Sequence, residues 1–243
     1  MTAAGPTPTV ALVHGAFADS AGWNEVAAQL LADGVAVQSV SNPLRGIEHD
    51  AAYAASAFEQ IDGPVLAVGH SYGGAVITNA AARVGNVVGL VYVAGFAPDE
   101  GEKIEDIEAG SRDSVLSSAL VPLRYPAADG GEPGTELAID PEQFHDAFAA
   151  DVSEEQARVM AATQRPISTL GFSQPTGVPA WRTLPSWAVI PTGDKAAGTD
   201  VLRSMAERAG ATIVEAEGSH VIMISQPKAV VDVIRQALAA VSG

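Results

Sequence analysis

The stretch Val65-Leu66-Ala67-Val68-Gly69-His70-Ser71-Tyr72-Gly73-Gly74-Ala75 passes from an apolar, strand-like run straight into a helix-period one. At the junction lies Gly69-His70-Ser71-Tyr72-Gly73, a G-x-S-x-G pentapeptide. A sharp strand-to-helix turn brings backbone close to backbone, which residues without a Cβ permit, and it lifts the central hydroxyl out at the carboxyl end of a sheet. On this reading Ser71 is presented for chemistry. The Tyr72 backbone N–H then stands at a helix N-terminus, where an unpaired donor and the positive dipole end favour a developing oxyanion. In a chain with 24 Gly a chance match is expected roughly 0.15 times, so the bare pattern is weak evidence and its weight comes from the strand before it and the helix after it. The bland alternative is a Gly-rich turn that only packs a helix on a sheet.

Outward from this junction, apolar runs alternate with Ala-rich runs of helical period. The pattern predicts strands at Thr9–Val13, 35–40, 64–68 and Val87–Val93. It predicts helices over 20–31, capped by Ser20, over 50–61, with Tyr53, Ala57, Phe58 and Ile61 on one face, and over 72–83. Val87–Val93 is apolar throughout, as a strand buried on both faces is. Between 98 and 180 the rhythm stops. An acidic run over 100–108, a Gly/Pro-rich loop over 127–134 and short helices over 142–150 and 153–163 appear there, without a strand of comparable quality. The rhythm resumes with a strand at Ser186–Pro191, a helix over 200–209, a strand over 212–217 and a terminal helix over 226–241 striped by Val230, Val233, Ile234, Ala237 and Leu238. The class is α/β, with a mostly parallel sheet of about six strands covered by helices. A core of 1–97 and 181–243 with an inserted helical lid of 98–180 is expected.

With 243 residues and 47% hydrophobic content, one large core needs no disulfide or metal staple. The chain has no Cys, which removes cysteine nucleophiles, thiolate zinc sites and disulfide frameworks and fits a reducing compartment. Thirteen Lys and Arg against 29 Asp and Glu, a net charge of −16, cannot build a phosphate-neutralising surface, so nucleic acids and anionic membranes are not expected partners. The first ten residues carry no basic residue and no long apolar run, and no apolar stretch reaches about 18 residues, so neither a leader nor a membrane span is expected. A cytoplasmic chain without metal or cofactor is the resulting expectation.

A serine needs a base, and the base needs an anionic partner. Five histidines compete: His14, His49, His70, His145 and His220. Only His220 follows the last strand, in Glu217-Gly218-Ser219-His220-Val221, so its loop opens at the same sheet edge as Ser71, the edge where open α/β sheets keep their sites. For the acid, Asp194 in Thr192-Gly193-Asp194 leaves the preceding strand directly and is favoured over Asp200, which stands where a helix N-cap is expected. A second oxyanion donor is the Ala16 N–H, in the Val13-His14-Gly15-Ala16-Phe17 loop after the first strand.

With these residues in place the chain resembles the α/β-hydrolase superfamily, in particular the branch of plant methylesterases, hydroxynitrile lyases and related bacterial esterases. The motifs are Leu12-Val13-His14-Gly15-Ala16-Phe17, Gly69-His70-Ser71-Tyr72-Gly73-Gly74, Thr192-Gly193-Asp194 and Gly218-Ser219-His220. The resemblance implies an enzyme with a Ser71–His220–Asp194 triad, no cofactor, a helical cap, and Ala16 and Tyr72 as oxyanion-hole residues. Val221 departs from the lyases of this branch, where a lysine follows the histidine, so cyanohydrin cleavage is not expected. The expected reaction is hydrolysis of a small carboxylic ester or related acyl substrate through an acyl-enzyme on Ser71. A ligand-binding protein on the same scaffold is the alternative, as are perhydrolysis, C–C bond hydrolysis and cofactor-free oxygen chemistry. Phe17, Phe148 and Trp181, with Phe144, Met160 and Phe172, are candidates to line a pocket, although each is as simply explained by packing. Arg165 and the run over 100–108 read as solvated charge.

Overall fold

A computed structural model describes residues 7–126 and 130–242; residues 1–6 of the expected leaderless stretch and 127–129 of the expected loop lie outside it. The chain opens with β1 (Thr9–Val13), a single 3₁₀ turn, α1 (Asn24–Ala32), β2 (Val37–Val40), α2 (Ile47–Glu59), β3 (Val65–His70), α3 (Tyr72–Ala80) and β4 (Val87–Val93). There follow α4 (Ile104–Ala109), α5 (Leu116–Ala119), β5 (Leu120–Tyr125), β6 (Gly134–Ile139), α6 (Phe144–Phe148), α7 (Glu154–Thr163), β7 (Ile167–Ser168) and α8 (Leu170–Ser173). It closes with β8 (Ser186–Pro191), α9 (Thr199–Arg208), β9 (Thr212–Ala216), α10 (Ile222–Ser225) and α11 (Pro227–Val241).

Six parallel strands form one sheet in the order β2-β1-β3-β4-β8-β9. β3 and β8 are buried along their whole length, the mark of strands covered on both faces. From β1 the chain steps one way to β2 and from β2 it steps back past β1 to β3; with right-handed crossovers this reversal puts α1 and α2 on opposite faces. Accordingly α11 packs against α1 and on β4 and β8, while α2 packs against α3. The reversal also leaves a crevice beyond the carboxyl ends of β1 and β3, paired with Val13 opposite Gly69. The loops carrying Ala16 and Ser71 leave the sheet at that crevice.

Several local expectations are corrected. The turn before α1 is capped not by Ser20 but by Asp19, whose carboxylate accepts the Ala21 N–H at 2.7 Å. α2 begins at Ile47, and its buried side is Ile47, Asp50, Ala51, Ala54, Ala55 and Phe58, leaving Tyr53 49% exposed. The buried carboxylate of Asp50 interrupts the apolar period, which is why a stripe through Tyr53 looked better. The helix α9 is entered from Gly198, at φ +92°, and Asp200 lies in its first turn. The segment 98–180 is not purely helical: β5, β6 and β7 form a small antiparallel sheet. Burial along β5 and β6 does not alternate, β5 carries Pro122, which an edge strand accommodates, and β7 is only two residues long, so no clean two-residue period announced them. Among the described residues no helix is long and apolar enough to cross a membrane.

Candidate active site

Ser71 has φ +52° and ψ −125°, a conformation that costs an L side chain about 1–3 kcal/mol and persists only when its surroundings over-determine it. They do. The Ser71 N–H donates to the Val93 carbonyl at 3.2 Å, and the Ser71 carbonyl accepts from Gly74 at 2.9 Å and Phe96 at 3.0 Å. A Cβ at Gly69 would strike the Gly73 carbonyl, and one at Gly73 the Val13 carbonyl, so both glycines are there for close approach. A Cβ on Gly15 would lie 2.7 Å from that of Ser71, so the loop after β1 presses directly on the turn.

His220 follows β9 and is 1% exposed. Its Nε2 accepts from the Ser71 hydroxyl at 2.8 Å, and its Nδ1–H donates to Asp194 Oδ2 at 2.6 Å; a carboxylate cannot donate, which fixes the tautomer. The other carboxylate oxygen of Asp194 accepts the N–H groups of Ala196 and Ala197, each at 2.9 Å, leaving Oδ2 for the imidazole. Asp200 turns elsewhere, accepting from the Ser111 hydroxyl at 2.6 Å and the Arg112 N–H at 2.9 Å. The three residues picked out from the sequence are therefore brought together in one hydrogen-bonded chain, with Ser71 6% exposed.

Neither the Ala16 nor the Tyr72 N–H has an acceptor among the described residues, and Tyr72 is the first residue of α3, where such donors are intrinsically unpaired. The Tyr72 hydroxyl donates to the buried Asp50 carboxylate at 2.8 Å, which also accepts the Arg45 N–H at 3.0 Å and so ties the loop before α2 to the turn. Burial pushes the Tyr72 phenol well above its usual range, reinforced by the Asp50 charge.

The remaining histidines have other work. His14 Nδ1–H donates to the Gly15 carbonyl at 2.9 Å, while its Nε2 accepts the Asn42 N–H at 3.0 Å and an Arg165 guanidinium N–H at 3.1 Å. Burial lowers its pKa to about 4, so the ring is neutral and braces the Ala16 loop. His70 donates from Nε2 to the His220 carbonyl at 2.9 Å; burial, then the neighbouring His220, hold it well below the ordinary imidazole value. His145 bonds the Val152 carbonyl at 3.0 Å, and His49 lies at the surface beside Asp50.

Phe17 also has a left-handed backbone, φ +59°, held by its N–H bond to the Arg165 carbonyl at 3.1 Å. Its ring meets that of Phe148 edge-on at 6.1 Å and stacks near Phe172 at 6.3 Å, and Phe148 lies 4.9 Å from the His220 ring. Phe144 backs Phe148 at 5.1 Å. Trp181 does not join them: its indole donates to the Pro98 carbonyl at 3.0 Å, and the Arg182 and Arg208 guanidiniums stand 5.9 and 6.0 Å from its ring. Arg165, expected as surface charge, is instead half-buried on His14 and the Asn42 carbonyl. The acidic run is divided: Glu102 pairs with Arg208, whereas burial raises the pKa of Glu108.

Two residues escaped the sequence reading. Asn42 sits past the end of β2, beside β1, a position that could have flagged it as a partner of the His14 loop. Asp151 gave no signal, having no spacing relation to His220. Its carboxylate accepts the Ser219 N–H at 2.7 Å and the Ser225 hydroxyl at 2.5 Å, and also the Ser219 hydroxyl, so segment 98–180 grips the loop that carries His220. Among the described residues no group of three or more His, Asp or Glu is arranged to hold a metal ion.

The architecture has close parallels. The chain is similar to a pyrethroid hydrolase from Sphingobium faniae JZ-2 (TM-score 0.77, 22% identity, 96% of this chain and 98% of that one). It is similar to polyneuridine aldehyde esterase (0.77, 18%, 98% and 100%). It is also similar to tomato methylketone synthase I in complex with 2-tridecanone (0.76, 17%, 97% and 99%). At these identities the likeness is one of fold. No curated protein matches the chain. With the elbow at Ser71, the switch-point crevice and the parallel sheet in hand, a match of residues 10–233 to the family model described as "Alpha/beta hydrolase family" identifies the chain as a member of that family.

Proposed function

We propose that the chain is a serine hydrolase that cleaves a small carboxylic ester or related acyl substrate through an acyl-enzyme on Ser71. The observation that carries the reading is the buried hydrogen-bond chain from Ser71 Oγ through His220 to Asp194, at 2.8 and 2.6 Å. In the proposed cycle Ser71 attacks the ester carbonyl as His220 Nε2 takes its proton. Asp194 stabilises the imidazolium, and the Ala16 and Tyr72 N–H groups receive the oxyanion. His220 returns the proton to the departing alcohol, and water repeats the sequence on the acyl-enzyme.

The backbone bonds to Asp194 support this reading because they hold one carboxylate oxygen and leave the other aimed at Nδ1. Family membership supports a hydrolase, and the pyrethroid hydrolase and polyneuridine aldehyde esterase among its structural parallels favour an ester. The proposed lid is segment 98–180 over the core, the proposed compartment the cytoplasm, and neither metal nor cofactor enters a step. The test is hydrolysis of p-nitrophenyl acyl esters by wild type and Ser71→Ala, both confirmed folded by circular dichroism. A loss of about 10³-fold or more in kcat/KM is expected. Equal turnover by both proteins contradicts the proposal.

A further inference from the structure

Asp194 owes its aim to two peptide units. The Ala196 and Ala197 N–H groups both donate to its Oδ1 at 2.9 Å, which turns Oδ2 toward His220. Bonds inside the loop fix the main chain of Asp194 itself: its N–H donates to Thr199 Oγ1 at 3.2 Å, and its carbonyl accepts the Thr199 N–H at 3.3 Å.

The other ends of the two peptide units are held from outside the loop, by a turn of segment 98–180. The Lys195 carbonyl, in one plane with the Ala196 N–H, accepts the Val115 N–H at 2.8 Å. The Ala196 carbonyl, in one plane with the Ala197 N–H, accepts the Ser114 hydroxyl at 2.6 Å. A carbonyl cannot donate, so the single Ser114 proton is committed there, and Glu108 Oε1 stands farther off at 3.4 Å. Because a peptide unit is rigid, a rotation that loosens its carbonyl swings its N–H away from Asp194. A bond accepted at the carbonyl also polarises the N–H and strengthens the bond that it donates.

The turn that carries Ser114 is itself fastened to the start of α9. Asp200 accepts the Ser111 hydroxyl at 2.6 Å and the Arg112 N–H at 2.9 Å, and its own N–H donates to the Asp113 carboxylate at 3.1 Å. The Ser111 oxygen in turn accepts the Asp113 and Ser114 N–H groups, each at 3.1 Å, and a Cβ at Gly198 would fall on that hydroxyl. Ser114 therefore reaches the acid loop from an anchored base.

We propose that Ser114 is a positioning residue for the reaction: through the Ala196–Ala197 peptide it holds Asp194 on His220, while the Val115 N–H holds the Lys195–Ala196 peptide in the same way. The inference rests on the hydrolase reading and adds to it that segment 98–180 completes the setting of the acid.

The test compares wild type, Ser114→Ala and Ser114→Thr, all confirmed folded by circular dichroism. It reads hydrolysis of p-nitrophenyl acetate and the low-field proton resonance of the His220 Nδ1–H, assigned by its loss in His220→Ala. Ser114→Ala is expected to lower kcat about tenfold at unchanged KM, since a misplaced catalytic group costs rate and not affinity, and to shift or broaden the resonance. Ser114→Thr keeps the hydroxyl and should restore most of kcat and the resonance. A kcat that Ser114→Ala leaves unchanged, or a fall in kcat without a change in the resonance, overturns the inference and leaves the hydrolase reading intact. If wild type turns over no ester, the hydrolase reading fails and the resonance alone decides: a change in Ser114→Ala keeps Ser114 as the residue that holds Asp194 on His220, and an unchanged resonance removes it.

Discussion

The six-stranded sheet and the segment 98–180 meet at the same site by different means. On the core side, Ser71 and the Ala16 loop are set by backbone: strand register, three main-chain bonds around the Ser71 peptide, and glycines that let carbonyls approach. On the side of 98–180, side chains carry most of the contact to the site, with the Asp151 carboxylate gripping the loop of His220, Arg165 bracing His14 and the Phe148 ring packed against His220. Backbone placement leaves a trace in apolar period and glycine spacing, whereas a tether between two side chains far apart in sequence leaves none. The first kind of region should therefore fail by unfolding when broken, and the second by losing activity while folded.

The largest effect is expected at Gly73. Its Cβ position lies against the Val13 and His14 carbonyls, which belong to a buried strand end and cannot retreat, so Gly73→Ala should destabilise by about 3 kcal/mol or more. Urea unfolding followed by circular dichroism measures this. A loss under about 1 kcal/mol would mean that the turn is less over-determined than its contacts indicate.

Next comes acid. His14 is neutral in the fold, with its pKa lowered from 6.5 to about 4 by burial, so the unfolded chain binds more protons than the native one between those values. Stability from this group is complete above about pH 6.5 and is lost as pH falls toward 4, at up to about 1.4 kcal/mol per pH unit. His70, held well below the ordinary imidazole value by burial, acts in the same direction. The midpoint of urea unfolding should fall across this window, and His14→Gln should flatten the profile. A midpoint that holds steady from pH 6.5 to 4 contradicts a buried neutral His14.

Asp151→Ala is the tether counterpart. It removes the acceptor for the Ser219 N–H and for two serine hydroxyls, freeing the loop that aims His220. A fall of about tenfold in kcat, with KM and the unfolding midpoint little changed and partial recovery in Asp151→Asn, is expected. A loss of stability without a change in kcat would make Asp151 a purely structural contact.

What was legible in the sequence follows the same division. β1, β4 and β8 were placed to the residue, because strands buried on both faces are apolar throughout and bounded by breakers. Ser71, Asp194 and His220 were legible together because each follows a strand that ends at one sheet edge. The start and buried face of α2 were misread, since its inward stripe contains the charged Asp50, which makes sense only once the Tyr72 hydroxyl is seen to donate to it. The small sheet of β5, β6 and β7 was missed because burial does not alternate along β5 and β6, and β7 is only two residues long. Trp181 was a pocket candidate on aromatic character with packing as the alternative, and its indole donates to the Pro98 carbonyl. The brace of His14 by Asn42 and Arg165 spans three separated stretches, so only the folded chain brings it into view.

The central claim is that Ser71 is a nucleophile activated by His220. Its most direct measurement is intact-mass spectrometry with peptide mapping after exposure to a fluorophosphonate, on wild type, Ser71→Ala and His220→Ala. The account predicts one adduct per chain on Ser71, none in Ser71→Ala, and labelling slowed by about 10³-fold or more in His220→Ala. No adduct on folded wild type, or an adduct that persists in Ser71→Ala, would contradict it.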